Sequence, residues 1–135
     1  MSVAANQAHP AAYADAAERC FVDGEMLHKG QRFANACHLF GLGAECALKV
    51  LLSGHPGVSA VPHKHLPGLR DDVLRMLSGK RHNGIRQLLN TTGYMLGWEV
   101  DNRYWPSEAF SAETSILHRD HCRRTLHATG VRSGI

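Results

Sequence analysis

From Phe33 to Leu52 the chain reads FANACHLFGLGAECALKVLL, and Phe33, Leu39, Phe40, Leu42, Leu48, Val50, Leu51 and Leu52 cover most directions around a helical axis. A helix that is apolar nearly all round must be covered on every side, so this segment belongs in the centre of a bundle. Gly41, Gly43, Ala44 and Ala47 provide close approach for neighbouring backbones, and the two glycines do so at a cost in helix propensity. Glu45 and Lys49 interrupt the run before it reaches the roughly 18 apolar residues of a membrane span. No basic patch followed by an apolar stretch opens the chain, so no membrane association is expected and a cytoplasmic location is the default.

The rest of the chain supplies the covering helices. Tyr13, Ala16, Ala17, Cys20, Gly24 and Leu27 follow helical spacing and predict an amphipathic first helix ending near Gly30. HPGVSAVPHKHLPG, with Pro56, Pro62 and Pro67, is a long irregular connection. A third helix is expected from Pro67, with Asp71 and Asp72 in its first turn and Leu66, Leu69, Val73, Met76 and Leu77 on one face. Ile85, Leu88, Leu89, Thr92, Met95 and Leu96 predict a fourth, capped by Asn83 and running up to Trp98. Ser107 or Ser111 would cap a fifth through Ala128, with Phe110, Thr114, Leu117 and His121 inward and the polar run HRDHCRRTLH in its second half. The expected fold is all-α: a compact bundle of about five helices over residues 11–128, with residues 1–10 and 129–135 loosely held.

Bulk properties are those of one globular domain: 135 residues, 44% hydrophobic, 20% charged and a formal net charge of +3. Ten histidines make the charge rise steeply as pH falls through the imidazole range. Cys20, Cys37, Cys46 and Cys122 form no CxxC pair and read as free thiols.

Three pieces of the sequence carry a resemblance: Glu45-Cys46-Ala47-Leu48-Lys49 on the central helix, His65-Leu66 ahead of the third helix, and Arg103-Tyr104 before the last. With the order of helices from Tyr13 to Ala128, they resemble the HEPN superfamily of small helical bundles. The resemblance implies a homodimer, and a class that holds metal-independent ribonucleases of toxin–antitoxin and defence systems beside inactive relatives that bind RNA or protein. Active members carry Arg, four to six residues, then His near the start of the last helix. This chain departs from that pattern, since seven residues lie between Arg119 and His127 and three between Arg123 and His127.

The spacing does occur at Arg32 and His38, where Arg would hold a phosphate and His exchange a proton, and at Arg75 and His82 across a predicted helix end. Arginines and histidines are frequent enough here for such spacings to arise by chance. Arg32 is otherwise a solvated cation and His38 a histidine of the bundle. Glu45 and Lys49, four apart, read as a polar pair on an apolar helix, reaching Lys49 or Arg103, or as a carboxylate of a pocket. His63 and His65 sit in the loop that leads into the third helix; with His55, His82, His118, His121 and Cys122 they invite a metal, but lack the spacing of a metal motif. Arg119, Arg123 and His127, with Arg124 beside them, form a stripe that either tracks a phosphate backbone or is a solvated face. Arg103, Tyr104 and Trp105 either stack on bases or close one end of the core. The expectation is a module, without cofactor or metal, that binds RNA or a protein partner. An active endoribonuclease and a small-molecule or metal-binding bundle are the alternatives.

Overall fold

A computed structural model of the protein describes residues 11–131. It contains five α-helices: α1 (Tyr13–Lys29), α2 (Phe33–Ser53), α3 (Gly68–Met76), α4 (Asn83–Leu89) and α5 (Ala112–Ala128). Short 3-10 turns at Lys80–His82, Val100–Tyr104 and Ser107–Ala109 link the later ones, and the described residues contain no strand. The chain is thus an all-α bundle, as its periodicity predicts.

α2 is the axis of the bundle and belongs to two cores. On one side Phe40 and Ala47 join Ala17 and Phe21 of α1 and Cys122 and Leu126 of α5. On the other, Leu48 and Leu52 join Leu69 and Val73 of α3, Leu88 and Leu89 of α4, and Trp98. By length and composition α2 would also pass for a membrane span, yet just over half of it is buried inside the bundle. Its apolarity serves the core. The small residues have the use expected of them: a Cβ on Gly43 would meet the Ala17 carbonyl at 3.3 Å and Cys122 Sγ at 3.0 Å, so α1 and α5 close on α2 at that point.

Two elements differ from the sequence reading. The fourth helix stops at Leu89, and the chain passes Gly93, Met95 and Gly97 through left-handed turns at φ 82°, 48° and 78°. The helical spacing of Thr92, Met95 and Leu96 is therefore fortuitous: Met95 is buried while Leu96 is 67% exposed. Asn83 is no cap, because α4 is entered straight from the Lys80–His82 turn. Ser111 does cap α5, its Oγ accepting the Thr114 N–H at 3.1 Å. Of the expected inner face of α5 His121 is buried, but Ser115, His118, Cys122, Thr125 and Leu126 join it in place of Phe110, Thr114 and Leu117, so the half that reads as most polar is the half most deeply packed. That register is possible because the 94–96 backbone and Tyr94 offer hydrogen-bond partners to the buried polar side chains.

The expected loose C-terminus is held at its start, with Thr129 and Val131 buried and the Val131 N–H bonded to the Leu126 carbonyl. Residues 1–10 and 132–135 lie outside the described part.

Candidate functional site

Each polar feature of the sequence now has a place. Glu45 is 3% exposed, and its partner is not Lys49. His65 Nδ1–H donates to both carboxylate oxygens at 3.0 and 3.1 Å, and the Leu66 N–H donates to Oε1 at 2.8 Å. The Lys49 ammonium lies instead 6.0 Å from the centre of the Tyr13 ring. Burial pushes the Glu45 carboxyl up, against the opposing pull of His65, the Leu66 N–H and, more weakly, Lys49. Glu45 and His65 therefore tie the long loop to α2 ahead of α3, while His63 stays exposed.

Arg32 and His38 are not brought together. Six residues along a helix separate them by about 9 Å of rise and about 120° of rotation. Arg32 is exposed at the N-cap of α2, where it lines a cavity of about 200 Å3 with Phe33, Asn35, Ser107 and Phe110. His38 stacks on Trp98, with ring centres 6.4 Å apart, and its buried Nδ1 has no partner. Burial and the Arg103 charge hold its imidazole below the usual range. Arg75 is likewise committed, to Asp72 at 2.9 Å.

Arg103 lies over the Tyr104 ring at 4.7 Å, with Tyr104 74% exposed and the Trp105 and Phe110 rings 6.3 Å apart beyond it. Exposed Glu99, Asp101 and Glu108 share this segment, so its own charge is negative. Trp98 belongs to the core, its indole N–H donating to the Cys37 carbonyl at 2.9 Å.

The cationic stripe on α5 divides. Arg119 is taken by Glu25 through two hydrogen bonds, which hold the Glu25 carboxyl low and the guanidinium high. Arg123 and Arg124 share a single carboxylate, Asp120, at 3.1 and 3.6 Å, and remain substantially exposed. Arg124 and His127 border a groove of about 480 Å3 whose other wall is Gly84, Gln87, Leu88 and Thr91 of α4 and the turn after it. No carboxylate lines this groove. Exposed Lys80 and Arg81 stand just ahead of it in the chain, in a stretch from Val73 to Trp98 without an acidic residue. The C-terminal half of α5 beyond Asp120 has none either. The α5 side of the groove is legible in the sequence as a cationic stripe, whereas the α4 side shows there only as this acid-free stretch.

Other constellations are structural. Ser115 and His28 stand 2.7 Å apart, a spacing suited to a nucleophile and its base, but Ser115 is fully buried. All four cysteines are free, and burial raises the Cys37 and Cys46 thiols to about 11, which leaves too little thiolate for nucleophilic chemistry. The His55 and His82 rings are 5.7 Å apart. Among the described residues no three His, Cys, Asp or Glu side chains gather as a metal site would require.

Compared with known families, curated proteins and solved structures, the chain matches no family model, no curated sequence and no structure.

Proposed function

We propose that the chain is an HEPN-like helical module that binds RNA, and that the groove between α4 and α5 receives the phosphate backbone. The observation that carries this reading is the groove's chemistry: Arg124 and His127 on one wall, Gln87 and Thr91 on the other, and no acid within it. Arg123 beside Arg124 on α5, and Lys80 and Arg81 just ahead of α4 in the chain, carry the same sign of charge. Membership of a toxin–antitoxin or defence system rests on the resemblance alone. The ribonuclease alternative finds less support, because one chain holds Arg32 and His38 on different faces of α2. A protein partner, a second copy included, is favoured by a different observation: Tyr104 and Trp105 are large exposed aromatics on an acidic segment, a surface suited to an apolar or basic face. Sedimentation of the chain at increasing concentration tests the homodimer.

Fluorescence anisotropy with a labelled 12-nucleotide single-stranded RNA tests the main reading. If Lys80, Arg81, Arg123 and Arg124 each neutralise a phosphate, affinity is expected to fall about 50-fold between 50 and 200 mM salt. The double variant Arg123→Ala, Arg124→Ala is expected to bind more weakly and to roughly halve the salt slope. Arg103→Ala is expected to leave both unchanged. Binding insensitive to salt, or to the double variant, would remove the groove from consideration. In the same samples, with chelator present, the RNA is expected to stay intact. Cleavage abolished by Arg32→Ala and by His38→Ala would instead establish the nuclease.

A further inference from the structure

The chain from Asn90 to Trp98 lacks a helix of its own and is fastened to α5 by three side-chain bonds. The Tyr94 hydroxyl donates to Thr125 Oγ1 at 2.7 Å, the Met95 N–H to His121 Nδ1 at 2.9 Å, and His118 Nε2–H to the Leu96 carbonyl at 2.9 Å. Two of the three depend on a protonation state. His121 Nδ1 accepts only while it carries no proton, and a proton there would set N–H against N–H. His118 spends its one proton on Leu96, and its Nδ1 is buried without a partner, so a second proton would find no acceptor. The two residues are 1% and 4% exposed.

Little around them offsets a positive charge. On α5, Asp120 favours charge on His121, but Arg124 opposes it, and His121 opposes charge on His118. From the turn, Tyr94 stacks on the His121 ring at 5.3 Å; its buried phenol is pushed far up and stays neutral. Glu45 of α2 and Arg70 of α3 act on Tyr94 with opposite sign. Burial accordingly holds both imidazoles below their usual range.

We propose that His118 and His121 form a proton-operated latch, and that acidification releases the Met95–Leu96 backbone from α5 while the α1–α2–α5 core stays folded. Release is local because that core is built from Phe21, Phe40, Ala47 and Leu126, none of which needs the turn, and because Trp98 stays anchored in the second core by its bond to the Cys37 carbonyl, which neither histidine makes. It also frees Met95, a non-glycine residue held at φ 48°, from its left-handed conformation. The sign follows from linkage. With folded-state affinities for protons below those of the unlatched chain, the latch holds fully above about pH 6.5 and weakens as pH falls below it.

Labelling with 15N-methionine tests this directly, since the Met95 amide reads its bond to His121 while Met26 on α1 and Met76 on α3 serve as internal controls. Between pH 7.5 and 5 the Met95 signal is expected to move and lose exchange protection reversibly, with Met26 and the helical circular dichroism preserved. His121→Gln keeps an acceptor for Met95 and cannot titrate, and His118→Gln keeps a donor for Leu96. The double variant is expected to abolish the transition. A Met95 signal unchanged to pH 5, one that moves only together with Met26 and the loss of helicity, or one that moves equally in the double variant would overturn the latch. Should that variant fail to fold, the imidazole resonances of the unaltered protein decide: His118 and His121 must titrate together with the Met95 amide, and titration of either without a response at Met95 refutes the proposal.

Discussion

Replacing Gly41 by alanine is expected to destabilise the protein by about 3 kcal/mol, the upper end of what overpacking a core costs. A Cβ at this position would lie inside the Trp98 indole, nearest Cε2, Nε1 and Cδ2. The ring has no easy retreat, because its N–H is bonded to the Cys37 carbonyl, its face is stacked on His38 and the residue is buried. Moving the indole would break the bond and open space between α2 and the 91–98 turn. Gly54→Ala is the control. A Cβ there meets nothing nearer than the Val50 carbonyl at 3.7 Å, and the backbone is already right-handed at φ −91°. That change is expected to be neutral or to stabilise by about 0.5 kcal/mol, through the unfolded chain. Urea midpoints of the two variants check both statements, and a Gly41→Ala protein as stable as the Gly54→Ala one would mean that Trp98 does not pack on α2.

This contrast also marks what the sequence makes legible. The run around Gly41 declares a central helix by composition alone, because an all-round apolar segment has only one stable place in a bundle. The close approach at Gly41 and Gly43 follows from the same run. Which residue fills the space does not: Trp98 stands 57 positions later, after a stretch whose helical spacing is an accident of turns at Gly93, Met95 and Gly97. The face of α5 was hidden for a related reason. His121 reads as inward, but His118 and Thr125 read as part of a polar run until the 94–96 backbone and Tyr94 are placed against them, so burial there depends on partners that local periodicity cannot see. The groove is a similar case. Arg124 and His127 are visible as part of a stripe, whereas Arg119 of the same stripe is neutralised by Glu25, 94 residues away in sequence, and the opposite wall comes from α4. The local pattern shows which residues share a helix face; which charges on that face remain free is decided by tertiary contacts.

Glu45 brings the same distinction to a measurable point. Glu45→Ala is expected to cost about 3 kcal/mol, since it leaves the Leu66 N–H without an acceptor inside the bundle and His65 without its anchor. Glu45→Gln keeps an oxygen for one of these donors and is expected to cost about 1 kcal/mol. The difference between glutamate and glutamine should depend on pH. Burial raises the folded-state affinity of Glu45 for its proton, so that contribution to stability is fully present below the unfolded pKa of about 4.3 and is lost as pH rises through the folded value. The cost of Glu45→Gln is therefore expected to be larger at pH 4 than at pH 7, the reverse of what a carboxylate held by a strong ion pair would give. Lys49 separates the two accounts. If the i, i+4 pairing suggested by the sequence governed Glu45, Lys49→Ala would destabilise nearly as much as Glu45→Ala; with His65 and the Leu66 N–H as the partners, its cost is expected to stay within about 0.5 kcal/mol. Urea titrations of the three variants at both pH values decide which partner holds the buried carboxylate, and with it whether the long loop is fastened to α2 or only lies against it.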